Sequence, residues 1–324
     1  MTAHRRDQAR ASRVVPVLLK VAERSFGALL VLLVLATLVF LALRLLPGDP
    51  AALILGDQAP ELERAALRAR LGLDRPLWLQ YLHYLKGLFV LDLGDSLARP
   101  GTKAFGEVGR ALGPTAALSG VAVLLGAVGG IAAALLSVGP WLGARRAWAH
   151  RGILAFAATP LIAFAPLLTY LFAVDRQWAP LPGDPDAGVA GLLFASGLLS
   201  IPLAAQVGRI GRAALLDQAR AKFLDVARAK GATSIRVWVV HALPAAFAPI
   251  SVVIATQLGA LLGGAVVLER LFERPGLGTL MLNAYAARDI PVLEASVVAA
   301  GCLFVLAQAA AAFASATLDP RTAA

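Results

Sequence analysis

The residues best placed to do chemical work lie between Lys222 and Pro249, KFLDVARAKGATSIRVWVVHALPAAFAP, a polar, basic island in an otherwise apolar second half of the chain. Asp217 to Lys230 is rich in Ala, Leu, Lys and Arg, lacks Gly and Pro, and predicts a helix. Arg228 and Lys230 fall in its last turn and Gly231 follows, the pattern of a helix closed by a left-handed residue. Thr233 or Ser234 can cap a second helix, from about Ile235 to Leu243, ahead of Pro244. The chemistry on offer is mechanical, two helices joined by a tight turn. Phe223, Val226, Ala227 and Lys230 recur at i, i+3, i+4 and i+7 beside Asp225 and Arg228, a narrow stripe that needs a groove to sit in.

No other part of the sequence offers a reaction centre. His4, His83, His150 and His241 are scattered, so an enzyme working inside the membrane lacks its base or metal ligands at helical spacing. His83 reads as an ordinary interfacial histidine with no partner at ligand spacing. Cys302 is the single cysteine, set in an apolar run, which excludes a disulfide framework or cysteine metal cluster and leaves a small packed side chain. No Gly-x-x-x-x-Gly-Lys-Ser/Thr loop is present to cradle nucleotide phosphates, so an ATP-driven cycle must draw its energy from another subunit.

The elements that must position the basic island are apolar helices. The chain has 324 residues, is 59% hydrophobic and 15% charged, and has a mean hydropathy of +0.74. That is too apolar for a soluble domain of this size and predicts an all-α polytopic membrane protein. A net charge of +10 and a pI near 10.6 raise nucleic acid as a partner. The basic residues, however, lie mostly between apolar spans, where membrane orientation accounts for them, and no nucleic-acid partner is expected.

In order, residues 1–25 form a basic cytoplasmic lead and 26–46 a first, retained span, with Arg44 near its end free to snorkel to the interface. Pro47, Gly48, Asp49 and Pro50 break the helix. Residues 47–113, with acidic and basic side chains in balance, are expected outside. Within them, a helix from Pro60 to Leu71 is closed by Gly72, and a second, Leu77 to Phe89 with Trp78, Tyr81 and Tyr84, lies near the aromatic membrane belt. Five further spans occupy 114–318: Pro114 to Val138, Gly152 to Val174 kinked by Pro160 and Pro166, Ala187 to Gly208, Pro249 to Leu268, and Ala295 to Leu318. Gly126 and Gly130, and again Gly259 and Gly263, have the spacing that lets helices pack closely.

Arg145, Arg146 and Arg151 place 140–151 inside, and the basic loop 209–248 must be cytoplasmic on its charge bias. Residues 175–186 and 269–294 are expected outside, and 319–324 form a cytoplasmic tail. Six spans with both ends inside satisfy every loop. The spans hold almost no ionisable residues, so no proton or sodium relay is visible. Gln206, Gln257, Asn283 and Gln308 are candidate polar groups of a translocation path and are read first as interhelical hydrogen-bonding groups.

Asp225-Val226-Ala227, three residues, Gly231, nine residues, then His241-Ala242-Leu243-Pro244 resembles the EAA loop of the membrane subunits of binding-protein-dependent ABC importers. Asp225 stands for that pattern's Glu, Val226 for its first Ala and His241 for its Ile. Ala227-Arg228-Ala229-Lys230-Gly231 with His241-Ala242-Leu243 is similar to the dipeptide/oligopeptide/nickel (DppB/OppB-like) branch. So are Arg44-Leu45-Leu46-Pro47-Gly48-Asp49-Pro50, Leu71-Gly72-Leu73-Asp74-Arg75-Pro76, and Asp92-Leu93-Gly94-Asp95-Ser96. Val267 to Gly278, Ala287-Arg288-Asp289-Ile290-Pro291-Val292 and the closing Leu318-Asp319-Pro320-Arg321 carry the likeness to the end.

The resemblance implies a type I, MetI-like permease of six transmembrane helices with an external helical segment after the first. It also implies a translocation path for peptides delivered by a periplasmic or lipid-anchored substrate-binding protein. A second homologous permease, two ABC ATPases and membrane lipid complete the assembly. ATP and Mg would sit on the ATPases, and no cofactor or metal is expected on this chain. The coupling loop would comprise Asp225, Ala227, Arg228, Ala229, Lys230, Gly231, His241, Leu243 and Pro244. Dipeptides, oligopeptides, nickel complexes and other small solutes all remain open as cargo. A non-transporting receptor or scaffold would explain six spans and a basic loop, but not the spacing from Gly231 to Pro244.

Overall fold

The structure, a computed structural model, describes residues 25–45, 52, 55, 56 and 59–318; the Pro47 to Pro50 motif, most of the N-terminal lead and the tail from 319 lie outside the described residues. Among the described residues the chain is helical, with one isolated antiparallel bridge between Asp95 and Lys103. The helices are α1 Ser25–Arg44, α2 Glu61–Leu71, α3 Leu77–Phe89, α4 Ala104–Val138, α5 Arg146–Ala158, α6 Leu161–Thr169, α7 Gly188–Gln218, α8 Lys222–Ala229, α9 Phe247–Leu271, α10 Leu277–Ala286 and α11 Ile290–Leu318. Five described helices, α1, α4, α7, α9 and α11, are long and apolar enough to cross a membrane. A sixth crossing counts if α5 and the segment Leu161–Asp175 make one span, and that pair is bent by 111°. Pro160 between them has no N–H and holds Thr159 in an extended conformation (ψ 125°), so the expected kink is a full elbow.

Two compact units emerge: residues up to 105 with 284–305, and 106–283 with 306 onward. In the first, α3 packs on α1 through Ala36, Phe40 and Tyr84, with Tyr81, Leu85 and Leu88 around them. Leu35 of α1 lies against Gly301 of α11, whose missing side chain makes room for it. Here α2 and α3 run as expected, and Gly72 closes α2 with φ +67°.

In the second unit α7 is the central rod. Leu198, Leu199, Leu203 and Val207 of α7 share a core with Leu118 and Ala122 of α4, Ala165 of α6 and Ile250, Leu261, Ala265 and Leu268 of α9. A Cβ on Gly126 would fall 2.7 Å from Leu203 and one on Gly130 would fall 2.6 Å from Val207, so these glycines are what brings α4 onto α7. On α9, Gly263 has no neighbour within this chain, and a close approach is made by Gly264 against Leu199 and Leu161. Gln206 accepts a hydrogen bond from Arg209 on its own helix (2.8 Å). α4 begins ten residues before Pro114, which the helix accommodates internally, so the helix starts within the segment 47–113.

Candidate functional site

The basic island folds as two helices and a turn, with a difference from expectation in each helix. The helix expected over Asp217 to Lys230 is two: α7 ends at Gln218 and α8 starts at Lys222, with Ala221 extended between them (ψ 130°). The turn itself is closed by paired backbone bonds, Gly231 N–H to the Arg228 carbonyl (2.9 Å) and Ala232 N–H to the Ala227 carbonyl (3.1 Å). That pairing requires a left-handed residue, and Gly231 supplies it at φ +83°. Thr233 then accepts from Arg236 N–H at 3.4 Å and caps the next helix. That helix runs Ser234–Arg236, widens into a π turn over Val237–Ala242 and resumes at Leu243–Ala245. Pro244 therefore does not end it. The wide turn lies just ahead of a proline that cannot donate and would crowd the carbonyl four residues back.

Leu224 and Ala227 of α8 are buried with Val237, Trp238, Ala242 and Ala246, against Ala134 and Val138 of α4 and Ala214 and Leu215 of α7. Arg212 donates to the Ser137 carbonyl at 2.5 Å and satisfies the end of α4. The hairpin is thus held on the ends of two crossing helices. Ala227 is buried in this anchor and Leu243 packs against it. The outward face carries Phe223, Val226, Ile235, Val239 and Val240, all exposed apolar side chains, with Asp225, Arg228, Ala229, Lys230 and Gly231 beside them. Asp225 and Arg228 pair at 2.7 Å, one turn apart and both exposed, while His241 is half-buried and Pro244 exposed.

The other motif expected to matter, Asp92, Gly94 and Ser96, builds a small loop. Asp92 accepts from Gly94 N–H (3.0 Å) and Lys103 Nζ (3.2 Å); these two contacts, in that order of weight, hold its carboxyl below the usual carboxylate range. Gly94 is left-handed at φ +93°. Ser96 is buried, accepts from Arg99 N–H (2.9 Å), and donates to Asp289, which also accepts from Leu97 N–H (3.1 Å) and caps α11 at Val292.

Sequence reasoning missed three buried carboxylates, having assigned Glu269, Asp289 and Glu294 to an external loop. Glu269, 1% exposed near the end of α9, accepts from Thr115 Oγ1 (2.5 Å), Gly278 N–H (2.8 Å) and Thr279 N–H (3.1 Å), while Thr115 accepts from Leu277 N–H (2.8 Å). The carboxylate caps the N-terminus of α10, where aligned N–H groups favour negative charge. A Cβ on Gly276 would fall 2.2 Å from this carboxyl, so only glycine lets the turn wrap so closely. Glu294, on α11, pairs with Arg44 at 2.6 Å; Arg44 also reaches Gln80 of α3 (3.3 Å) and lies over the Phe40 ring. Arg44 is therefore tied down inside its unit and does not simply snorkel to the interface. The available signal was a lone charge at the edge of an apolar run, at Arg44 and again at Glu294.

Among the described residues no three His, Cys, Asp or Glu side chains cluster at metal-binding distance. The arrangement is suited to transmitting movement, with a rigid, anchored hairpin presenting an apolar face at one end of α4 and α7.

Comparison with known proteins agrees. The family described as "Binding-protein-dependent transport system inner membrane component" matches residues 111–324, and its N-terminal companion, "Binding-prot-dependent transport system membrane comp, N-term", matches residues 17–106. The chain is 35% identical over 296 residues to the glutathione transport system permease protein GsiC of Salmonella choleraesuis (strain SC-B67), covering 88% of this chain and 92% of that protein. It is 31% identical over 309 residues to a probable peptide ABC transporter permease protein, y4tP, of Sinorhizobium fredii (strain NBRC 101917 / NGR234), covering 92% and 97%. Among solved structures, the inward-facing MetNI methionine ABC transporter shares the fold, with a TM-score of 0.54 at 19% identity over 65% of this chain and 96% of that one. The chain belongs to the binding-protein-dependent transport system inner membrane components, and is an inner-membrane permease subunit of an ABC importer.

Proposed function

We propose that this permease carries small peptides, glutathione-like tripeptides among them, and is driven through the hairpin from Lys222 to Ala245. What supports the cargo is the substrate for which relatives are named that share about a third of the sequence along nearly the whole chain. The observation that carries the coupling is the two-sided hairpin: Leu224 and Ala227 fixed on α4 and α7, Phe223, Val226, Ile235, Val239 and Val240 turned outward and unpartnered.

Two ATPase subunits, holding ATP and Mg, receive that apolar face. A second homologous permease completes the path, and a substrate-binding protein delivers cargo at the opposite end. The basic loop 209–248 and both termini lie in the cytoplasm, in keeping with the excess of Arg and Lys there. ATP-driven closure of the ATPases pulls on the hairpin, and because its buried side is continuous with the ends of α4 and α7, those helices move with it. Asp225 and Arg228, which pair with each other here, can exchange that bond for partners in the ATPase groove.

The test is uptake of labelled glutathione and of a labelled dipeptide by cells expressing the complete importer, with Gly231→Pro as the variant. Proline cannot take φ +83°, so the turn must reform. Membrane insertion should persist while uptake and ATPase co-purification fall. Normal uptake by this variant refutes the coupling role, and uptake of neither peptide by the unaltered importer refutes the cargo.

A further inference from the structure

We propose that the outward face of α3, formed by Trp78, Leu82 and Phe89, rests in the lipid bilayer, at the boundary between headgroups and acyl chains on the side where α1 ends at Arg44. The three side chains are 64%, 53% and 80% exposed, and at 100° per residue they fall on one narrow stripe of the helix. Lys86 and His83, also exposed, border that stripe on one side, and the opposite face, centred on Tyr84, is buried. An apolar stripe with a cationic edge and a sealed back is the pattern of a helix lying along a membrane surface.

Depth is what selects lipid. Thr37 Oγ1 donates to the Leu33 carbonyl, so the Tyr81 hydroxyl, 2.7 Å away, donates to Thr37. Phe40 meets Tyr81 edge-on and packs tilted against Tyr84, and Gln80 meets Arg44. These contacts run over the last two turns of α1, so α3 lies alongside a stretch of the span about 10 Å long and not beyond its end. Over the same stretch α1 shows Leu38 and Leu41 outward, side chains that suit hydrocarbon and not water. A helix fixed at that height presents its own free face to the same medium.

The end of α3 agrees. Its closing bonds run from Leu91 N–H to the Leu88 carbonyl and from Asp92 N–H to the Gly87 carbonyl, the geometry normally given to glycine at the left-handed position. Leu91 holds it instead, at φ +55° and 66% exposed. A bulky apolar side chain in an unfavourable conformation, displayed outward beside Phe89 and Val90, gains nothing in water and is stabilised in lipid.

The experiment uses the whole importer in phospholipid vesicles, with Cys302→Ala and single nitroxide labels at Leu82→Cys, Phe89→Cys and Lys86→Cys. Collisions with molecular oxygen, which concentrates in hydrocarbon, are compared with collisions with a neutral water-soluble nickel chelate. Labels at Leu82 and Phe89 should favour oxygen several-fold over the label at Lys86. Equal chelate access at all three sites would place the face in water, and shielding from both reagents would place it under another protein; either overturns the proposal. A second reading avoids labels: quenching of the importer's fluorescence by brominated lipid should fall in Trp78→Phe, and an unchanged quench counts against the proposal.

Discussion

Deleting the Glu269 carboxylate should unmake the turn between α9 and α10. In Glu269→Ala, Gly278 N–H and Thr279 N–H lose their acceptor inside a site that is 1% exposed, and Thr115 loses the partner for its hydroxyl proton. Each orphaned buried donor costs about 1–3 kcal/mol, so the two amides alone come to about 4 kcal/mol. Glu269→Gln keeps one carbonyl for the amides and loses mainly the attraction between a carboxylate and a helix N-terminus, about 1–2 kcal/mol in a buried setting. The melting midpoint of the purified importer, at roughly 2 °C per kcal/mol for a chain of this size, should drop by roughly 8 °C for alanine and roughly 3 °C for glutamine. Thr115→Val should behave like glutamine, and the two together should cost less than their sum, because they break one shared network. Equal, small shifts for Glu269→Ala and Glu269→Gln would refute the reasoning, since it depends on what the amides are left with. Additive behaviour with Thr115→Val would refute the network.

Two other perturbations read the first unit. Glu294→Ala leaves Arg44, 19% exposed, without its partner at 2.6 Å, and should destabilise the purified importer by about 3 kcal/mol, the low end for a buried pair; Arg44→Met with Glu294→Leu should recover most of the loss in the same melt. The loop at Asp92 should respond only to acid. Its carboxyl is held low, so its stabilising contact is complete above the ordinary carboxylate pKa and is lost as pH falls through the lowered value. Amide protection factors over 94–104 should therefore hold through neutral pH and drop only below the usual carboxylate range, and a loss near pH 6 would contradict the assignment.

Local backbone chemistry was the legible part of this molecule. Gly72, Gly231 and Thr233 each occupy the cap that their type and position announce, and Leu77–Phe89 is bounded as its apolar pattern requires. Those signals act within a turn or two and need no tertiary partner. The breaks were less legible: Pro114 sits inside α4 while Pro160 turns the chain by 111°, and the neighbouring residues do not distinguish a tolerated proline from an elbow. The carboxylates were hidden for a different reason. Counting charge between apolar runs treats Glu269, Asp289 and Glu294 as one loop population. In the folded chain each meets a specific donor: the start of α10 for Glu269, the Ser96 loop for Asp289, Arg44 for Glu294. Glu269 and its amide donors are nine and ten residues apart, and Thr115 lies 154 residues away, separations that no periodicity encodes.

The elbow at Thr159 and Pro160 has a further consequence. Ala158, Thr159 and Pro160 are exposed on this chain, although they separate two apolar half-helices. A helix that stops partway leaves carbonyls without intrahelical donors and amides without acceptors, and acyl chains can supply neither. Thr159 returns only its hydroxyl proton, to the Ala155 carbonyl at 2.8 Å. A hydrocarbon surround would leave the remaining groups with nothing to bind. The elbow therefore calls for a polar surround, water or a polar partner, that acyl chains do not provide.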